Sequence, residues 1–414
     1  MAPGGFASWR RRLGLERRVA ALATALFVYG FGEELWSRYL PEYLRVLGAS
    51  ALAVGIFGTL KDLLDAAYAY PGGVLTDRIG SRRSLLLFAS LTAAGLFMYL
   101  LWPSIAGVFV GLLLVKSWPS LGLPATFALI GEDLPSGRRI LGFTAQAVVK
   151  RVPIVLAPPL GGLLLERFGV ARGMRVGFGI AIALSVGMLF PLRRGLRGSD
   201  GRSPPGISSA PRHSPALRAG KLAPALKQLL VADCLVRLCE GLPDVFLVIW
   251  AIEIVKISPA RFGLLTSVLM ASAIVSYLPA AALAERAEKK PFVLATYVFF
   301  SLFPLAVVFS RSFPALLAAY VVGGLREIGE PARKSLIVDL SDPAARGRTV
   351  GLYYAIRGFA VAGAAAIGGA LWMIRPQLTF LVASALGLLG TAWAALFLPA
   401  HRSHPQSPRN EPSE

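Results

Sequence analysis

The chain has 414 residues, of which 55% are apolar and only 16% are charged, and this balance excludes a water-soluble globular protein. A formal net charge of +20 could point to nucleic acid, but the basic residues lie in short loops between long apolar runs. We therefore expect an integral membrane protein that binds the lipid bilayer and no nucleic acid.

The first apolar run follows the basic segment RRLGLERR, as the apolar core of a signal peptide would. This run is too long for such a core, contains Glu33 and Glu34, and is followed by no convincing small-residue cleavage site. We expect an uncleaved first span. Cys234 and Cys239 lie in one later run, without disulfide or metal spacing, so we expect small buried side chains and no metal site.

An apolar run of about 20 residues is long enough to cross the hydrocarbon core of a membrane as a helix. We predict twelve such spans, at residues 19–40, 51–76, 84–102, 104–131, 140–165, 174–192, 226–254, 260–284, 291–310, 313–340, 347–372 and 377–398. Residues 193–225 are rich in Arg, Ser, Pro and Gly, which is typical of a flexible linker. The prediction is an all-α polytopic protein with halves at 19–192 and 226–398, a basic linker at 193–225, and end segments at 1–18 and 399–414.

Lysine and arginine are distributed unequally between the two sides of the predicted bundle. The termini, the linker with the residues up to 227, and the loops after even-numbered spans hold 25 of the 43, whereas the opposite loops hold eight. Because basic loops stay in the cytoplasm, we expect a multi-pass protein of the cell membrane with both termini cytoplasmic.

The two halves repeat each other at a nearly constant offset. Residues 71–83, PGGVLTDRIGSRR, correspond to residues 279–291, PAAALAERAEKKP, and Leu160-Gly161-Gly162 corresponds to Ile367-Gly368-Gly369. Two parallel six-helix repeats are the architecture of one large class of secondary transporters.

The segment 71–83 predicts a tight hairpin between spans two and three, and it resembles the signature loop G-x-x-x-D-R-x-G-R-R of the major facilitator superfamily. The matching residues are Gly73, Asp77, Arg78, Gly80, Arg82 and Arg83. The resemblance implies a loop that contacts the second half near the start of span eleven and helps to hold one access state. The second copy keeps Glu285 and Arg286 but loses both glycines, so a tight contact there is not expected.

Two further segments resemble this superfamily less closely. The run APPLGG at residues 157–162 is similar to the G-P-x-x-G-G motif that its exporters carry in the fifth span, with alanine in place of the first glycine. A proline-kinked helix of small residues explains the run equally well. Lys116 stands where the family has a fourth-span arginine, without the glutamine and glycine that should follow.

Charged side chains are confined to certain spans. Spans three, six, nine and twelve carry none in their cores, whereas spans one, two, four, five, seven, ten and eleven do. Because an ionised group facing lipid costs about 2.5–3.5 kcal/mol even on lenient scales, charged spans should face an interior or a cavity. We expect every third span to be peripheral.

Helical spacing places many of these charges on shared faces. On span one, Glu34 and Arg38 are i,i+4 partners, as are Lys61 and Asp65 on span two, with Asp62 nearby. Two longer stripes are predicted, Asp233, Arg237, Glu240 and Asp244 on span seven and Arg326, Glu330 and Arg333 on span ten. Four bases have no local partner and need one from another helix or a ligand: Lys116, Lys150, Arg151 and Arg357.

These buried charges, together with Glu33, are the predicted substrate and proton pathway, and Glu34, Asp62, Asp65 and Glu240 are the candidate proton carriers. Away from their ends, the spans hold ten bases and nine acids, and this near balance is also what internal salt bridges would give.

The sequence contains no phosphate-binding glycine loop and no nucleophile–base or metal constellation, and its three histidines lie in the linker and tail. We therefore expect neither an enzyme nor a cofactor. The leading hypothesis is a monomeric secondary active transporter that moves a small polar or charged solute by alternating access, coupled to protons, with export favoured over uptake. The alternatives are an uptake symporter or uniporter of the same fold, or a membrane receptor or scaffold that does not transport.

Overall fold

The computed structural model of the chain describes residues 17–121, 139–195, 222–286, 288–341 and 346–398, and the regular elements in these ranges are helices. In the first half, spans one to six contain helices Arg17–Glu34 with Leu40–Val46, Ala51–Ile79, Ser81–Leu101, Ile105–Val115, Arg139–Phe168 and Val170–Gly195. In the second half, spans seven to twelve contain helices Pro224–Gly241 with Leu247–Ile249, Pro259–Arg286, Lys289–Phe309, Phe313–Leu325 with Glu330–Asp339, Arg346–Val361 with Ala364–Ile374, and Pro376–Phe397.

Six helical segments of the described residues are long and apolar enough to cross a membrane. They are Arg82–Leu101, Val170–Arg194, Pro259–Tyr277, Lys289–Phe309, Thr349–Ile374 and Pro376–Phe397. All four spans predicted to be free of charge are among them, because a continuous apolar helix is what lipid contact requires.

Spans one and seven are broken at equivalent places. A 3-10 turn at Ser37–Tyr39 interrupts span one, and another at Asp244–Phe246, 207 positions later, interrupts span seven. Proline contributes to both breaks, since Pro41 starts the next helix of span one and Pro243 precedes the turn of span seven. The repeat seen in the sequence therefore extends to local backbone geometry.

The connection between spans two and three is shorter than the predicted hairpin. The helix of span two continues through Pro71 to Ile79, and the helix of span three begins at Ser81. Gly80 alone makes the turn, with φ at +85°, a conformation that glycine adopts without strain. Pro71 is tolerated inside the helix because membrane helices can satisfy the one backbone group that proline frees.

The repeated glycines of spans five and eleven bring backbones into close contact at one end of the bundle. A Cβ atom at Gly162 would lie 2.6 Å from the Cα atom of Ala260 in the other half, and one at Gly369 would lie 2.7 Å from the carbonyl oxygen of Ala51. Such close approach by small residues is how membrane helices gain packing energy without a hydrophobic driving force.

Polar contacts join the halves at the same end. The Arg45 Nε atom lies 3.3 Å from Glu253 Oε1, the Tyr39 hydroxyl donates to the Pro259 carbonyl at 3.1 Å, and the Ala366 N–H donates to Thr59 Oγ1 at 3.1 Å. This end, remote from the beginning of span one and the end of span twelve, is called the closed end below. Aromatic residues fill it, among them Tyr39, Trp250 and Phe262.

Candidate functional site

A cavity of about 380 Å³ lies between the halves, next to the closed end. Its wall in the first half is densely charged, and its wall in the second half is largely aromatic and aliphatic. The ionisable residues that line it are Glu33, Glu34, Arg38, Lys61, Asp62, Asp65, Lys116, Glu240, Asp244 and Arg326. The contacts of the closed end bound the cavity on that side.

Every third span was predicted to be peripheral, and span nine departs from that pattern. Spans three, six and twelve contribute no residue to the cavity lining, whereas span nine contributes Phe300, Phe303 and Pro304. Span nine reaches the cavity because span ten offers little bulk there: a Cβ atom at Gly323 would lie 2.7 Å from the Phe303 ring.

In the first half, each lining base has a carboxylate partner. The Arg38 Nε atom donates to Glu34 Oε2 at 3.0 Å, which agrees with the predicted i,i+4 pair. The Lys116 Nζ atom donates to Asp65 Oδ2 at 2.7 Å, and the Ser120 hydroxyl donates to the other oxygen of Asp65. Lys116 thus finds its partner on another helix, as predicted for a base without a local one.

The predicted pairing of Lys61 with Asp65 is wrong. The Lys61 Nζ atom instead lies 3.2 Å from Asp244 Oδ2 in the other half and 3.7 Å from Asp62 Oδ1. Asp65 is already held by Lys116 and Ser120, so Lys61 is left to connect the halves. This ion pair joins the two repeats at the cavity lining.

In the second half, Glu240 holds two guanidinium groups at the cavity edge. Arg237 Nη1 donates to Glu240 Oε2 at 2.6 Å, and Arg326 Nη2 lies 3.5 Å from Glu240 Oε1. The Arg326 guanidinium also lies over the rings of Phe300 and Phe303, at 5.2 and 5.7 Å from their centroids. A carboxylate and two aromatic faces therefore stabilise this cation.

Charges of spans seven, ten and eleven form a cluster beside the cavity, here called the seam. Its members are Asp233, Arg237, Glu330, Arg333, Lys334 and Arg357. Asp233 is fully buried and accepts from Arg333 at 2.7 Å, Tyr353 at 3.0 Å and Arg357 at 3.2 Å. Glu330 accepts from Arg333 at 2.8 Å and from Arg237. The predicted stripe on span seven is thus divided: Glu240 and Asp244 line the cavity, and Asp233 belongs to the seam.

Other predicted residues either lie outside the cavity lining or have side chains that the structure does not describe. Arg357 finds its partner in Asp233, and the Arg151 guanidinium lies 5.1 Å from the Tyr277 ring centroid in the other half. The side chains of Lys150, Glu285 and Arg286 lie outside the described residues.

In the signature loop, Asp77, Arg78 and Arg83 are exposed, whereas Gly73, Gly80 and Arg82 are half-buried. Residues 342–345, which precede span eleven, lie outside the described residues. The implied contact of the loop with that region therefore stays a prediction.

The aromatic wall of the cavity was not among the predicted site residues. It consists of Phe262, Phe300, Phe303 and Tyr320. These rings carry no signal that separates them from the many other aromatic residues of the spans, so the sequence alone could not have assigned them to a site.

Two repeated helical halves around a central charged cavity define a secondary membrane transporter. The sequence profile of the Major Facilitator Superfamily matches residues 22–232 and 229–414, and the chain belongs to this superfamily.

Individual relatives are distant. An uncharacterised MFS-type transporter of Methanocaldococcus jannaschii, MJ1317, is 20% identical over 390 residues, which cover 91% of this chain and 93% of the relative. The quinolone resistance protein NorA of Staphylococcus aureus is 20% identical over 152 residues, or 37% of this chain and 39% of that protein. The crystal structure of a POT family transporter in complex with 5-aminolevulinic acid aligns with a TM-score of 0.74 at 16% identity, covering 92% of this chain and 96% of the other, and this likeness shows the shared fold.

Proposed function

We propose that the protein is a secondary active transporter that exports a small polar or charged solute in exchange for protons, by alternating access of the central cavity. The observation that carries the proposal is the cavity itself, in which ten acidic and basic side chains line a space between the two halves. A scaffold would gain nothing from keeping such charges in the membrane, where each is costly.

The chemistry of the lining supports proton coupling. Glu34, Asp62, Asp65 and Glu240 are carboxylates at the cavity, and three of them lie 3.0 Å or less from a base. Asp62 is the fourth and lies 3.7 Å from Lys61. A rearrangement that separates a carboxylate from its base raises its affinity for a proton, and the relative motion of the halves supplies such a rearrangement.

Export is supported by two observations. The run at residues 157–162 resembles an exporter motif and packs against the start of span eight at the closed end. One relative is named for resistance to quinolones, and removal of a compound from the cell is one way in which a membrane protein confers resistance. With both termini in the cytoplasm, the closed end is the outer end, and a solute would enter the cavity of this state from inside.

The test uses the full chain in proteoliposomes with an imposed pH gradient, zero membrane potential and no Na⁺. A panel of radiolabelled cations, anions, zwitterions and neutral sugars is offered, and Glu166→Gln, an exposed change outside the cavity, serves as control. We expect at least one solute to accumulate in the direction opposite to proton flow, in the native protein and in the control alike. Flux that ignores the gradient in both directions would mean a uniporter or a solute exchanger.

A further inference from the structure

The cavity lining carries more acid than base. Six of its residues are carboxylates, namely Glu33, Glu34, Asp62, Asp65, Glu240 and Asp244. Four are bases, namely Arg38, Lys61, Lys116 and Arg326. Because ionised groups in a low-dielectric setting need opposite charges nearby, this excess of two carboxylates requires compensation.

The ion pairs show which carboxylates are in excess. Each base has a carboxylate of its own: Arg38 with Glu34 at 3.0 Å, Lys61 with Asp244 at 3.2 Å, Lys116 with Asp65 at 2.7 Å, and Arg326 with Glu240 at 3.5 Å. Two acids are then left, both on the wall of the first half. Asp62 has only the longer 3.7 Å contact with Lys61, and Glu33 forms no ion pair within the described residues.

The second half contains bases that do not line the cavity, and these bases do not neutralise the first-half wall. Arg333 and Arg357 both bind Asp233 within the seam, and neither lines the cavity. Lys334 is 59% exposed and contacts Glu330 from the outside. The lining is therefore acidic overall, and the two carboxylates outside its closest ion pairs, Glu33 and Asp62, both lie on the first-half wall.

A second, independent feature concerns the opposite wall. Phe262, Phe300, Phe303 and Tyr320 present an aromatic surface to the same space. The Arg326 guanidinium already occupies part of it, between Glu240 and the two phenylalanine rings. This internal cation demonstrates the chemistry that the cavity offers, a carboxylate combined with aromatic faces.

From these two features we infer that the solute is an organic cation with an apolar or aromatic body, its charge placed against Asp62 and Glu33 and its body against the aromatic wall. The inference rests on the proposed transport function and adds its substrate class. Compensation by the solute explains why the first-half wall carries two carboxylates in excess of the bases that line the cavity.

The test compares two ions of nearly the same shape and opposite charge, tetraphenylphosphonium and tetraphenylborate. Binding of each radiolabelled ion is measured on the full chain in nanodiscs, with empty nanodiscs correcting for partition into lipid. We expect saturable binding of tetraphenylphosphonium and none of tetraphenylborate. Asp62→Asn and Glu33→Gln should each weaken cation binding by about tenfold, because each removes one charge from the wall.

Glu166→Gln provides the matched control, since it is the same kind of change on an exposed residue outside the cavity. Its affinity for tetraphenylphosphonium should equal that of the native chain. Saturable binding of tetraphenylborate instead, absence of saturable cation binding to the native chain, or full affinity in both wall variants would each overturn the inference.

The outcome is distinguishable from failure of the transport proposal. A proton-coupled flux of an anion or a neutral sugar in proteoliposomes would leave the transporter intact and remove only the cationic substrate class. Cation binding without any proton-dependent flux would support the cationic ligand class and contradict the proposed proton-coupled transport.

Discussion

At the scale of single residues, the structure separates charges that hold the fold from charges that face the cavity. Asp233 is fully buried among Arg333, Arg357 and Tyr353, whereas the Asp62 side chain is 49% exposed at the cavity wall. The two aspartates have similar settings in sequence, each inside a charged span. Their roles differ because only Asp233 is enclosed by bases from two other spans, Arg333 on span ten and Arg357 on span eleven.

This difference predicts that replacement by asparagine lowers the thermal stability at Asp233 and leaves it unchanged at Asp62. Asp233→Asn leaves the Arg357 guanidinium without its carboxylate and the buried Arg333 guanidinium with Glu330 alone, and removal of one partner from a buried ion pair costs about 3–5 kcal/mol. We expect a marked loss of thermal stability in detergent, measured by intrinsic fluorescence. Asp62→Asn should unfold at the native temperature, and equal stability of the two variants would contradict the assignment of Asp233 to the seam.

The charged residues also show which side-chain contacts could be predicted from the sequence. Helical spacing correctly grouped the charges into stripes and identified Arg38 with Glu34, because i,i+4 contacts are local. It failed for Lys61, whose partner Asp244 lies in the other half. Pairing across helices depends on how the halves are docked, and no local pattern contains that information.

At the scale of elements, the short turn between spans two and three is the best-defined family feature. Its backbone is set by Gly80, and Asp77 is exposed in the last turn of the preceding helix. The resemblance implies that this loop supports one access state through the other half. The contact partner lies outside the described residues, so mutation is the appropriate test.

We expect Asp77→Asn to reduce transport severalfold while expression and stability stay unchanged, because only the balance between states should be altered. Glu285→Gln, the corresponding change in the second copy, should have a smaller effect since that copy lacks the glycines. Transport is measured in the proteoliposome assay with whichever panel solute is carried. Native rates in a well-folded Asp77→Asn protein would refute the role of the loop.

The glycines of span five make a second prediction at this scale. Gly162→Ala places a methyl group about where the backbone of Pro259 and Ala260 now lies, so the closed end should separate. A cysteine at Ser37, which lines the cavity, should then react several times faster with an impermeant maleimide added from the closed-end side.

The control for this experiment is Gly187→Ala on span six, where an added Cβ atom would meet nothing within 4 Å. Cys234 and Cys239 are replaced in all variants, since both thiols are free. Identical labelling rates for Gly162→Ala and Gly187→Ala would show that the glycine contact does not keep this end shut.

At the scale of the whole molecule, the two halves are nearly equivalent in backbone and different in charge. The repeat could be predicted from the sequence because residues 71–83 and the glycine pair of span five recur about 207 positions later, whereas the equivalent breaks of spans one and seven are seen only in the structure. The excess of carboxylates in the cavity lining could not be predicted from the sequence. It depends on which charges are enclosed in the seam and which remain at the cavity wall. Function depends on this asymmetry, because a symmetric scaffold alone selects no solute.

The central claim is that the halves alternate in opening the two ends of one cavity. The most direct test measures spin-label distances across the halves in nanodiscs, at Leu101 and Phe309 for the closed end and at Arg194 and Leu396 for the opposite end, all exposed positions. The account predicts that Gly162→Ala lengthens the Leu101–Phe309 distance and shortens the Arg194–Leu396 distance in the same sample. Movement at one end alone, or in the same direction at both, would contradict it.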